Sequence, residues 1–404
     1  MTRSAPHPPC ALAELGVVTA LGVSIEETWP RLVAGDQSRF VERDDLSPGV
    51  VRRFGAVVAD LPAVPASLRH LACRNNELAL AAYQQIAGGV DAARRRFGDH
   101  RIGVVVGTST SGIASAERAF RERAQTGRLS ADFDLAQMEH GGLPEFLTLL
   151  AGVRGPHYAI ATACSAGAKA LVSARALLEL DLCDAVIAGG VDSLCQLTAR
   201  GFGALQSIAT GITNPMSRNR DGLTLGEGAA LFLVTRDGDG IQLLGAGESS
   251  DAHHMSAPDP AGGGAESCMR AALADARLAP EAIAYLNLHG TGTPQNDAVE
   301  SKAVERVFGH GLACSSTKPL VGHLLGASGA VEAAFCWMLL ARRDGDAMAV
   351  PPHRWDGATD PELAALELAK PGTRVAAPLP VAVMSTSFGF GGSNCALVLG
   401  DARP

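Results

Sequence analysis

Aromatic side chains, long apolar runs and paired cysteine motifs are scarce or absent in this chain, and each shortage excludes something. Aromatic residues are only 4% of the 404 residues and charged residues only 19%. No run approaches the ~18 consecutive apolar residues of a membrane-spanning helix, so no span is expected. Nine cysteines form an odd set with no C-x-x-C spacing. That argues against a disulfide framework and a zinc site, and makes the reducing cytoplasm the expected compartment. A net charge of −8 gives no basis for nucleic-acid binding. The stretch from Met1 to Pro9 is polar and Pro-rich, and Glu14 interrupts the apolar residues behind it, so no signal peptide is expected.

Small residues are plentiful: 46 glycines accompany a 47% hydrophobic content. That is the profile of an α/β protein with close helix–sheet packing. The length accommodates two domain-sized units. A weak internal repeat points the same way. Gly226-Glu227-Gly228 feeds an apolar strand-like run to Val234, and Gly391-Gly392-Ser393-Asn394 feeds another to Leu399. A polar turn, Arg236 to Gly240, lies between the halves. The reading is two related α/β halves, 1–245 and 246–404, with the boundary near 236–250.

Three segments carry candidate chemistry. In Ala161-Thr162-Ala163-Cys164-Ser165-Ala166-Gly167, a strand-like run ends and a small-residue helix from about Ser165 to Leu180 begins. Cys164 therefore falls at a helix N-terminus, where unpaired N–H groups and the helix dipole favour thiolate. The alternative is a buried structural cysteine. His289 follows the apolar run Ile283 to Leu288 and opens the Gly/Thr loop Gly290-Thr291-Gly292-Thr293. His323 closes Ser315-Ser316-Thr317-Lys318-Pro319-Leu320-Val321-Gly322 before a second small-residue helix, about Leu324 to Leu340. Either histidine alone is compatible with a hydrogen-bonded structural role. Three strand-end sites flanked by small residues together suggest one centre. The adjacent His253 and His254 have no carboxylate cluster with them and are not taken as metal ligands; no metal is expected.

With Asp221-Gly222-Leu223-Thr224-Leu225-Gly226-Glu227-Gly228, Ser249 to Met255 and Ser387-Phe388-Gly389-Phe390-Gly391-Gly392-Ser393-Asn394, these segments stand in one order over residues 16 to 399. The chain thereby resembles the β-ketoacyl-acyl-carrier-protein synthases of the thiolase superfamily. The resemblance implies an α/β, thiolase-like duplicated fold with five layers, α-β-α-β-α, and an active site between the halves. It implies an acyltransferase that joins a Cys-bound acyl chain to malonyl units by decarboxylative Claisen condensation. Cys164 would be the nucleophile, with its own N–H and that of Phe390 as oxyanion hole. His289 and His323 would stabilise the enolate, Lys318 would set the electrostatics, and Glu300 would be the buried partner of Lys318. A solvated face of a helix beginning near Asp297 is the other reading of Glu300. Thr291 and Thr293 match residues that hold a phosphopantetheine arm, which the acyl carrier protein brings, so the chain needs no cofactor of its own. Phe390 matches a gate to the acyl channel, and Phe202 a pocket residue. The partners implied are an acyl carrier protein and a second subunit, as homodimer or as heterodimer with a chain-length-factor-like ketosynthase subunit.

Some residues depart from that pattern. Thr110 stands where an aliphatic residue tends to line the acyl channel. Gln137-Met138-Glu139-His140 replaces a largely apolar segment, and a more polar wall suits a saturated chain poorly. Gln206 replaces a basic residue used in carrier docking, while Arg69, Arg74, Arg118, Arg121 and Arg123 offer a basic patch elsewhere. The segments Leu182 to Cys195, Cys73 to Asn76 and Gln137 to Glu139 resemble the ketosynthases of aryl-polyene biosynthesis. A housekeeping fatty-acid elongation synthase would carry the same catalytic residues. A non-catalytic chain-length factor would lack the cysteine. A degradative thiolase would need a second one near the C-terminal glycine loop, and Cys395 there reads as part of a buried strand.

Overall fold

The computed structural model describes residues 7–401 apart from Pro48, Asp237 and Asp239. The segment Met1 to Pro6 and the two aspartates of the inter-half turn thus lie outside the described residues. Eleven strands of the described residues build the main sheet, ten of them divided evenly between the halves and a short one at an edge. Those of the first half are β1 (Cys10–Val18), β2 (Ile102–Gly107), β3 (His157–Ile160), β4 (Ala185–Asp192) and β5 (Gly228–Thr235). Those of the second are β6 (Ile241–Ser250), β7 (Ile283–Asn287), β8 (Ala313–Ser315), β9 (Val381–Gly389) and β10 (Ser393–Asp401). The helices that matter here are α1 (Arg74–Phe97), α2 (Gly142–Ala151), α3 (Ala166–Glu179), α4 (Gln196–Ala204), α5 (Gly263–Ala276), α6 (Pro294–Phe308) and α7 (Ser328–Ala341).

The strand order is β3-β2-β4-β5-β1 in the first half and β8-β7-β9-β10-β6 in the second. Each half has the same pattern of directions. The second strand in that order, β2 or β7, is flanked by parallel neighbours, and the fourth, β5 or β10, runs antiparallel on both sides. This is the duplication that the glycine-turn repeat foreshadows. The halves are also joined: β1 and β6 pair over Cys10 and Ala11 with Leu243 and Gln242, and the two-residue strand Glu367–Leu368 completes the far edge. A division at 245/246 falls inside β6.

Alternation along the strands sorts side chains into layers. In β2, Ile102, Val104 and Val106 join α1 and α2 in one core, while Val105 faces a second. In β10, Ala396 and Val398 pack with α5 and α6, while Leu397 and Leu399 face the same second core. That central core holds α3 and α7, giving α–β–α–β–α. The two central helices touch closely. A Cβ on Gly167 would lie 2.8 Å from the Gly326 carbonyl oxygen and 2.9 Å from Ala330 Cβ. This is the physical reason for small residues in both helices, because only they permit such an approach.

Local boundaries differ from expectation in instructive ways. Both central helices are preceded by a tight turn, Ala163–Ser165 and Leu325–Ala327. The first residue of each turn has φ 51°. Such a conformation cannot continue a helix, so α3 and α7 start later than composition suggests. Helix α6 starts earlier, because Pro294 occupies its first position. Among the described residues no helix is long and apolar enough to cross a membrane.

Candidate active site

Each reactive side chain sits on a loop or turn that leads from a strand toward a helix. Cys164 lies on the turn between β3 and α3, 5% exposed. His289 follows β7, and His323 precedes the turn that opens α7; both are buried. His323 Nε2 is 3.1 Å from Cys164 Sγ. The histidine rings are 5.4 Å apart, edge to face. A nitrogen of each ring and Sγ lie within 4.8 Å of one another.

Hydrogen bonds fix the tautomer of both rings. The Leu325 N–H donates to His323 Nδ1 at 3.2 Å, and Ser328 Oγ lies 2.8 Å from the same nitrogen. His323 Nδ1 is thus an acceptor, and the proton is on Nε2, facing the sulfur. Lys318 Nζ, a donor only, is 3.3 Å from His289 Nδ1, so His289 likewise carries its proton on Nε2. Burial, reinforced by the Lys318 ammonium, holds both imidazoles well below their usual range. Two neutral N–H donors therefore converge beside one thiol.

The electrostatic partner of Lys318 is Glu332, not Glu300. Lys318 Nζ donates to Glu332 Oε1 at 2.5 Å and closely to the His289 carbonyl. With His289 Nδ1, these use all three of its protons. Glu300 does a different job. Its oxygens accept the backbone N–H groups of His289 and Gly290, each at 2.7 Å, and fix the loop after β7. Burial raises the carboxyls of both Glu300 and Glu332. The solvated-face reading of Glu300 fails as well, since its side chain is fully buried.

Expectation and structure also part over the thiol. Cys164 does sit before a helix, but burial pushes it up to about 11, against the pull of Lys318 and of the Phe390 and Cys164 N–H groups. Desolvation outweighs the helix terminus. Those two N–H groups nevertheless converge on the sulfur. The approach depends on Gly389, where a Cβ would meet the Thr162 carbonyl oxygen at 2.9 Å and Cys164 N at 3.4 Å. A nucleophile with two imidazole donors and two backbone donors around it suits acyl transfer and the stabilisation of carbanionic oxygen.

A cavity of ≈270 Å³ leads to the thiol. Phe202, Thr291, Thr293 and Phe390 are among the residues that line it. Thr291 Oγ1 and Thr293 Oγ1 are 2.9 Å apart, and the rings of Phe202 and Phe390 are 5.5 Å apart. Thr110 is not on its wall. Its buried hydroxyl donates to Asp192 Oδ1 at 2.7 Å, and Asp192 also accepts Ser109 N, Thr110 N, Thr108 Oγ1 and Ala327 N. Asp192 thus ties the loop after β2 to the turn before α7. His254 lines the mouth and accepts the Ser256 and Ala257 N–H groups at Nδ1. Of the arginines offered as a basic patch, Arg74 is committed to Glu227 and Arg121 to Gln196.

Duplicated five-layer architecture and a Cys–His–His centre define a condensing enzyme of the thiolase type. The chain belongs to the β-ketoacyl synthase family: residues 14–239 match the family's N-terminal domain and 241–346 its C-terminal domain. It is 32% identical to 3-oxoacyl-[acyl-carrier-protein] synthase 2 of Coxiella burnetii, covering 95% of this chain and 96% of that one. It is 33% identical to the enzyme of the same name from Rhizobium meliloti, again covering 95% and 96%. Among solved structures it resembles the ketosynthase ApeO of Xenorhabdus doucetiae, in complex with its chain length factor ApeC, at 40% identity, TM-score 0.92 and 98% coverage of both chains. A β-ketoacyl synthase of Burkholderia phymatum is 28% identical, with TM-score 0.87, over 98% of this chain and all of that one. The chain is therefore an acyltransferase of the condensing class.

Proposed function

We propose that this chain is the catalytic subunit of a type II ketosynthase that extends a conjugated, aryl-polyene-type chain together with a chain-length-factor-like subunit. Cys164 attacks an acyl thioester on a carrier protein; the carrier thiol leaves with the cysteine's proton. A malonyl group on a second carrier then loses CO2, and its electron pair passes to the thioester oxygen as an enolate. The Nε2–H groups of His289 and His323 hold that oxygen. The enolate carbon attacks the acyl-Cys164 carbonyl, whose oxyanion is held by the Cys164 and Phe390 N–H groups. Collapse breaks the C–S bond and returns a thiolate, which takes a proton from water. Lys318 keeps His289 in its donating tautomer. Thr291 and Thr293 bind the phosphopantetheine arm, and Phe202 and Phe390 flank the acyl entry. No metal or resident cofactor enters this scheme, which runs in the cytoplasm on two halves divided near 236–250.

The observation that carries the catalytic part is the convergence of two tautomer-fixed N–H donors on one buried thiol. The partner and the conjugated substrate are supported by the 40% identity to a ketosynthase paired with a chain length factor, and by the resemblance of Leu182 to Cys195 to the aryl-polyene enzymes. Housekeeping fatty-acid elongation is the second reading, favoured by 32–33% identity over almost the whole chain to 3-oxoacyl-[acyl-carrier-protein] synthases. A non-catalytic role is disfavoured by Cys164 and both histidines. Intact-mass detection of acyl adducts on Cys164 separates the two, using saturated and aryl-conjugated carrier thioesters with and without a purified chain-length-factor subunit. Adducts from the conjugated donor, dependent on the partner, are expected. Efficient acylation by saturated donors in the chain alone would overturn the polyene reading.

A further inference from the structure

Three loops meet behind His289, and a buried histidine that the scheme above does not use joins two of them. His353 lies in an irregular segment after Pro351 and Pro352, 4% exposed. Its Nδ1 accepts the Ser316 N–H at 3.1 Å, and its Nε2 is 2.9 Å from the Pro215 carbonyl oxygen, to which it donates. The tautomer is again single. Trp355 packs edge-on against the ring at 5.9 Å.

From Ser316 the connection continues into the catalytic loops. Ser316 Oγ donates to the Gly290 carbonyl at 2.7 Å and accepts Lys318 N at 3.3 Å. The contact is tight, since a Cβ on Gly290 would lie 2.5 Å from Ser316 Cβ. From Pro215, the next residue Met216 donates its N–H to Asp297, which also accepts Gly292 N. Thr213 Oγ1 donates to the Thr291 carbonyl at 2.7 Å. So the segments 213–216, 289–293 and 315–318 form one hydrogen-bonded unit, and His353 is the side chain that bridges its first and third parts.

We propose that His353 is a positioning residue for the Lys318–His289 pair, and so serves malonyl decarboxylation rather than acylation of Cys164. Ser316 fixes both the backbone that launches Lys318 and the backbone that follows His289. Among the described residues no hydrogen bond joins Ser316 to Cys164, Phe390 or the His323–Leu325 turn; His323 is held instead by its N–H bond to the Thr224 carbonyl, and like His289 it serves the enolate. Misplacement of a catalytic donor by about 1 Å can cost on the order of a hundredfold in rate. Loss of the Ser316 anchor is therefore expected to slow one half-reaction selectively. The inference rests on the catalytic roles proposed above.

The test measures both half-reactions on His353→Leu, His353→Asn and His353→Gln, with the partner subunit present where the enzyme needs it. Acylation of Cys164 is read by intact mass, and decarboxylation by conversion of malonyl-loaded to acetyl-loaded carrier protein. His353→Leu is expected to slow decarboxylation about tenfold to a hundredfold while acylation stays within about twofold. Asn presents its carbonyl near the position of Nδ1 and can keep the Ser316 bond, whereas Gln reaches only toward Pro215. Asn should therefore restore most of the decarboxylation rate and Gln little of it. Parallel loss of both half-reactions, no loss of either, or equal rates for Asn and Gln would overturn the proposal; the last comparison holds even if the Leu variant fails to fold. A wild-type enzyme that decarboxylates no malonyl carrier would instead overturn the underlying catalytic reading.

Discussion

Alkylation of Cys164 by iodoacetamide is expected to accelerate about tenfold per pH unit from pH 7 to 9, with no plateau. The thiol is pushed up to about 11 from an ordinary 9.0. Two units correspond to about 2.7 kcal/mol against the thiolate, and leave roughly one molecule in ten thousand ionised at pH 7. The geometry explains why. Burial of the sulfur outweighs the opposing pull of the Lys318 ammonium and of the Phe390 and Cys164 N–H groups, and His323 Nε2 lies 3.1 Å from it. The imidazole is a donor here and holds no vacant lone pair toward the thiol, so a resting thiolate–imidazolium pair cannot form without a tautomer change. Hydrogen bonds to charged groups contribute about 1.5–3 kcal/mol, so His323→Ala should slow alkylation at a given pH roughly tenfold to a hundredfold. The assay is time-resolved alkylation with peptide mass spectrometry at Cys164, since all nine cysteines are buried thiols. A plateau reached below pH 8 would show an ion pair and refute the tautomer argument. An unchanged rate in His323→Ala would refute the donor assignment.

Further consequences follow from single contacts. Glu332→Leu strands the buried Lys318 ammonium; chemical denaturation should show a loss of about 3–5 kcal/mol. Glu300→Gln leaves that pair intact and should cost less. Equal losses would contradict the reassigned partner. Gly167→Ala should lower stability by about 1–3 kcal/mol, because its Cβ would press on Ala330 and the Gly326 carbonyl; an unchanged denaturation midpoint would contradict the close α3–α7 contact. His353 is lowered to about 4 from 6.5 by burial. Its unfolded form protonates first as pH falls, so its contribution is complete above 6.5 and lost between 6.5 and 4. Wild type should therefore lose up to about 3 kcal/mol over that range that His353→Asn does not. A constant difference between the two proteins would show that His353 does not titrate this way.

How legible the site was in the sequence depended on how local each signal is. Cys164, His289 and His323 each end an apolar strand and precede a small-residue turn, and that signature is contained in about ten residues. The duplicated fold showed through the glycine turns that feed β5 and β10, because both strands need the same sharp entry. Glu332 was missed although its signal was present: it is the sole charge in the buried 14-residue helix Ser328–Ala341, and a lone buried carboxylate requires a partner. Glu300 was given that role by resemblance, whereas its position, 11 residues after His289, lets it reach back to cap the loop. The thiol's direction of shift was misjudged because helix polarity can be read from sequence and burial depth cannot. The bond from Thr110 to Asp192 had no local signal, because the two lie 82 residues apart. His353 gave no local signal at all, since both contacts cross more than 30 residues.

Carbon–carbon bond formation through an acyl-Cys164 intermediate is the reaction this site is built for. The most direct measurement follows enzyme and carrier masses in one reaction, after adding malonyl-loaded carrier to enzyme already acylated and freed of donor. The acyl mass should be lost from Cys164, with a β-ketoacyl carrier two carbons longer than the starting acyl group appearing in equal amount. Cys164→Ala should give neither. Acetyl-loaded carrier accumulating while the acyl group stays on Cys164, or condensation surviving in Cys164→Ala, would contradict it.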